Sequence, residues 1–76
     1  MLEYIENIEI LSDMLDHFVV SSNLYFNKDF WNEIILYVED LKGSITNNNQ
    51  LEEIDKDILI SMIVSLLEDS ISEMSN

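Results

Sequence analysis

Apolar residues recur at helical intervals in three stretches of the chain. In the first, Tyr4, Ile8, Leu11, Leu15 and Phe18 follow one another at steps of four and three, which lines them along one face. Glu6, Glu9, Asp13 and Asp16 fall on the opposite face. The pattern predicts a helix over residues 2–20 that fades at "SSN", residues 21–23.

The second stretch has a well-marked start. Asn27 suits an N-cap, because its side-chain oxygen can accept from a free backbone N–H of the first turn. Phe26 before it and Trp31 after it have the spacing of a hydrophobic staple. Asp29 then lies near the positive end of the helix dipole. Phe30, Ile34, Val38 and Leu41 form an inner face, with Trp31 and Tyr37 at its margins. Lys42 sits in the last turn, and Gly43 takes the place of a left-handed C-cap, so the helix is expected over residues 28–42.

A polar loop, "SITNNNQ", follows. Asn49 with Glu52 three residues later resembles a capping box for a third helix over residues 50–74, with Asp55 as a rival start. Apolar side chains from Leu51 to Met74 cover roughly 240° of the wheel at 100° per residue. An ordinary surface helix needs a stripe of about 100° or a little more. The third helix is therefore expected to be contacted on two sides, by the first two helices on one and, on the other, by a longer wrap of the same chain or by a second copy of it. Ile60, Val64, Leu67 and Ile71 are the candidate dimer interface. A strand through "ILISMIV" is disfavoured, because the pattern runs on to Met74 without a breaker.

The resulting expectation is one all-α domain over residues 1–76, a compact three-helix unit with a central, highly apolar third helix. Composition agrees: the chain has no proline and one glycine. Cysteine is absent, which removes disulfides, thiolate metal sites and cysteine nucleophiles, and fits a reducing compartment. The first ten residues carry glutamates where a secretory signal needs basic residues. The longest apolar block, Ile58 to Leu67, is half of the about 20 residues that span a bilayer, and a negative chain is repelled by anionic lipid. The expected location is the cytoplasm, with no membrane contact.

Candidate chemistry is sparse, and no catalytic, cofactor-binding or metal-binding residue is assigned. His17, the one histidine, has Asp13 four residues before it. Its simpler reading is an exposed side chain on a polar helix face, since a zinc site needs about four ligands. "DKDILIS" begins like a calcium loop, but Leu59 and Ile60 stand where an oxygen ligand and a glycine are needed. There is no arginine, no glycine-rich phosphate loop and no serine–histidine motif. The chain is not expected to be an enzyme, nor to use a cofactor. Direct nucleic-acid binding is disfavoured too: phosphate binding draws on lysine and arginine, and Lys28, Lys42 and Lys56 each have an acidic neighbour within two residues.

What remains is the charge. Sixteen acidic residues against three basic ones give a formal charge of −13. That costs stability by self-repulsion and exceeds the about 2–8 that keeps a small domain soluble. A basic partner, of the kind that acts on nucleic acid, explains the excess. Glu9, Asp13 and Asp16 climb the first helix at intervals of roughly 4.5–6 Å. Asp29, Glu33 and Asp40 form a second row, with Leu36 among them. Either row suits a groove built for phosphates, although for one row alone a solvated helix face is the simpler reading, and it is the total charge that asks for more. Tyr25 is the freest aromatic in "NLYFNKDFW" and a candidate anchor, since tyrosine and tryptophan are over-represented at interface hot spots. Phe26, Phe30 and Trp31 read instead as core and staple.

No motif ties the chain to a family. In size, acidity, helicity and lack of cysteine it is similar to bacteriocin and contact-toxin immunity proteins, and equally to phage-encoded inhibitors of host defence nucleases, including anti-CRISPR and DNA-mimic proteins. The resemblance is one of composition and size. It implies an inhibitor of a basic protein and carries over no residue. The rival expectation is a homodimeric regulatory or adaptor protein with the third helix as its interface.

Overall fold

The computed structural model describes residues 2–75, with three α-helices in chain order: α1 (Leu2–Ser22), α2 (Lys28–Thr46) and α3 (Glu53–Ser75). The described residues contain no strand. The helices lie along a rod of 43 × 21 × 15 Å. Short connections make successive helices antiparallel, so Tyr4 at the start of α1 meets Ser44 near the end of α2.

The core follows the periodicity. Ile8, Leu11, Leu15 and Phe18 of α1 are buried, as are Ile34, Val38, Leu41 and Ile45 of α2 and Leu59 and Ile63 of α3. Phe18 is its densest point. The rings of Phe26 and Phe30 meet it edge-on at 5.5 Å, and Trp31 lies tilted against it at 5.1 Å. Both members of the expected staple thus pack on the end of the preceding helix and fix the angle at which α2 enters. Truncating a buried phenylalanine of this kind costs about 3–5 kcal/mol.

Two helix ends match their signals. α1 stops where Ser21 and Ser22 both donate their hydroxyls to the Phe18 carbonyl, at 3.0 and 2.7 Å, supplying side-chain partners in its last turn. α2 opens on Asn27, whose Oδ1 accepts from the Phe30 N–H at 3.1 Å.

Two other ends differ. α2 does not stop at Gly43: it runs on to Thr46, and no glycine has positive φ. The reason is Ile45, which is fully buried and holds one more turn on the core. α3 does not begin with an Asn49–Glu52 capping box or at Asp55. Its first helical residue is Glu53, and the Lys56 N–H bonds the Glu52 carbonyl at 3.0 Å. The loop asparagine with a structural role is Asn48. Its Oδ1 accepts from the Gln50 N–H at 2.9 Å, and its side-chain amide donates to the Tyr4 hydroxyl at 2.8 Å.

The third helix is also less central than its apolar arc implies. It supplies two buried hydrophobic residues where α1 and α2 supply four each. Ile54, Ile58, Met62, Val64 and Ile71 keep 37–63% of their surface exposed. No helix among the described residues is long and apolar enough to cross a membrane.

Candidate protein-binding faces

The orientation of α1 decides what each acidic row looks at. Asn7 and Met14 lie toward α2: the Tyr37 hydroxyl donates to the Asn7 carbonyl at 3.3 Å, and Met14 shares a hollow with Phe30. Ile8 lies toward α3, where it meets Ile54, Ile58 and Met62 across an open trough. At 100° per residue, Asp13 then points straight away from the core, while Glu9 and Asp16 turn to the α3 side. All three are exposed.

The second row takes another side. Asp29, Glu33, Leu36 and Asp40 are all exposed along the outer face of α2. Asp40 lines a small hollow with Asn7, Tyr37, Leu41 and Ser44, so this row borders the seam between α1 and α2. The two rows therefore do not merge into one stripe. Leu36 is 65% exposed within the second row and gives it an apolar centre.

Tyr25 is 70% exposed and lines a hollow of about 650 Å³ with Met14, His17, Ser21, Leu24, Asn27 and Phe30. Leu24 beside it is 94% exposed. Periodicity gives no signal for Leu24, because it lies in the turn between helices. Phe26 divides its surface: one edge meets Phe18, and more than half of it faces outward.

On α3 the four residues of the expected dimer interface separate into two kinds. Ile60 and Leu67 are half-buried against the core, whereas Val64 and Ile71 are exposed. An open concavity lies on the other flank of the helix. There Ile54, Ile58, Met62 and Leu66 recur at steps of four and, with Ile8, floor a trough of about 600 Å³. Asp57, Ser61 and Ser65 form its α3 rim. The wide apolar arc contained both flanks. Which of them the other helices would cover depends on tertiary packing, to which the wheel is blind.

The electrostatics are one-sided. Of the 16 acidic residues only Asp55 is half-buried; every other one is exposed. Among the described residues the one ion pair is Lys56 with Glu53, at 3.6 Å. Lys56 also donates to the Thr46 carbonyl at 2.9 Å, which holds it against the end of α2. Lys28 and Lys42 are on α2 itself. No three histidine or acidic side chains among the described residues converge as a metal centre requires. No family model, curated protein or solved structure matches the chain.

Proposed function

We propose that this protein is a stoichiometric inhibitor that binds and blocks a basic protein acting on nucleic acid. The observation that carries the reading is the exposure of its carboxylates with almost no internal neutralisation. A charge of −13 along a 43 Å rod is one unit per about 3.3 Å, close to the about 3.4 Å between charges along one DNA strand. Such a surface raises encounter rates with a positive groove and competes there with phosphates. Leu36 is an exposed apolar group within an acidic row and Tyr25 an exposed aromatic in the turn between α1 and α2, both suited to anchor the complex once charge has brought it together. The complex would form in the cytoplasm, without cofactor or metal.

The test is capture from lysate on the immobilised protein at low and at moderate salt. Retained proteins should be rich in lysine and arginine, should be released as salt rises, and should lose nucleic-acid activity at a one-to-one ratio. Retention of neutral or acidic proteins, insensitive to salt, would contradict the reading.

A homodimeric regulatory protein is the second reading, favoured by exposed Val64 beside half-buried Ile60 and Leu67 on α3. Sedimentation at micromolar concentration separates the two, since the inhibitor needs no second copy.

A further inference from the structure

The trough between α1 and α3 has an apolar floor with acidic ground on both sides. Ile54, Ile58 and Met62 are 63%, 47% and 37% exposed along it. From Ile54 to Leu66 the floor extends for about 18 Å at 1.5 Å per residue. On the α3 side the rim runs at steps of four from Asp57 through Ser61 and Ser65, with Asp69 one step beyond, so acids stand at both ends and small hydroxyls between. On the α1 side, Ser12 and Ile5 follow Ile8 round the helix, and the exposed Asp16 and Glu9 come next beyond them. No lysine reaches this face: Lys28 and Lys42 stand on α2, and Lys56 is turned to the Thr46 carbonyl.

We propose that this trough is a docking site for a basic amphipathic helix of the partner protein. The proposal rests on the reading of the chain as a binder of basic proteins and adds the place and the shape of the contact. An amphipathic helix laid in a groove presents anchors at i, i+3/i+4 and i+7, and about 18 Å of floor accepts three or four of them. Its lysines and arginines would then lie over Asp57 and Asp69 on one side and Glu9 and Asp16 on the other. Ser61 and Ser65 let its backbone come close. The charge also selects against a second copy, because two chains of −13 would bring identical acidic rims together.

The experiment uses two synthetic peptides of identical lysine–leucine composition. One places leucines at i, i+4, i+7 and i+11; the other is scrambled. Each is titrated into the ¹⁵N-labelled full chain at low salt. The patterned peptide should bind at least tenfold more tightly, with the largest shifts at Ile54, Ile58, Ser61 and Met62. Ile58→Ser combined with Met62→Ser should abolish that preference while helical content is kept. Ile54→Ser, at a more exposed position, serves if the double variant unfolds. Equal binding of both peptides, with shifts spread over all acidic positions, overturns the trough and leaves the acidic-binder reading standing. Absence of binding by either peptide overturns both. Concentration-dependent shifts at Ile58 and Met62 without peptide would assign the face to a second copy and overturn the proposal.

Discussion

Asn48 donates its side-chain amide to the Tyr4 hydroxyl across 2.8 Å, joining residues 44 positions apart in the chain. The same hydroxyl lies 3.4 Å from both the carbonyl and the Oγ of Ser44. One phenol thus ties the first turn of α1 to the last turn of α2 and to the loop that leads into α3. Asn48→Ala removes the bond to Tyr4 and the one its Oδ1 accepts from the Gln50 N–H, so it should lower stability by about 1–3 kcal/mol, at about 0.5–1.5 kcal/mol for each. In a domain of this size that is a melting-point drop of about 4–8 °C per kcal/mol. Thermal melts of Asn48→Ala and Tyr4→Phe, singly and together, check the coupling. Additive losses would mean that the two side chains act independently.

Gly43 lies inside α2, with negative φ and nothing within 4 Å of where a Cβ would stand. Gly43→Ala should therefore stabilise the protein by about 0.5–1 kcal/mol, because alanine restricts the unfolded chain and favours the helix. The sign is diagnostic. A left-handed cap at this position would make the same substitution destabilising in a denaturant titration.

The two acidic rows look outward from different sides of the rod, so they can be neutralised separately. Changing Glu9, Asp13 and Asp16, or Asp29, Glu33 and Asp40, to their amides should leave helicity unchanged and raise the melting temperature slightly by relieving repulsion. If a row is covered by the partner, its triple variant should bind less tightly. A charge paired and buried in the complex costs about 2–5 kcal/mol when truncated, whereas a rim charge affects mainly the association rate. Leu36→Ala should add a loss only if the second row is covered. Affinities of both triple variants for the captured partner check this, and undiminished binding by both would remove the rows from the mechanism.

The helices and most of their inner faces were legible in the sequence, because period and burial have a common cause: Ile8, Leu11, Leu15 and Phe18 repeat as a helix turns and fill one core. Asn27 was equally legible, since its cap is a local bond. The ends governed by tertiary contact were not. Ile45 draws α2 past a glycine that locally resembles a stop, and Asn48 is committed to a tyrosine at the other end of the chain. The candidate site divides in the same way. Exposure of Glu9, Asp13, Asp16, Asp29, Glu33, Leu36 and Asp40 follows from the wheel, while the divergence of the two rows depends on how α1 is turned between its neighbours. The trough floored by Ile54, Ile58 and Met62 was visible only as an excess of apolar arc, with nothing local to say which flank would stay open.

The most direct measurement is the association rate with the captured partner as ionic strength is raised from about 0.01 to 1 M, which shortens the Debye length from about 30 to 3 Å. A rate that falls at least tenfold over that range, with dissociation changing far less, is the result expected if exposed carboxylates steer the protein to a basic target. A rate that stays flat would mean that the charge of −13 plays no part in finding the partner, and would contradict the proposed function at its root.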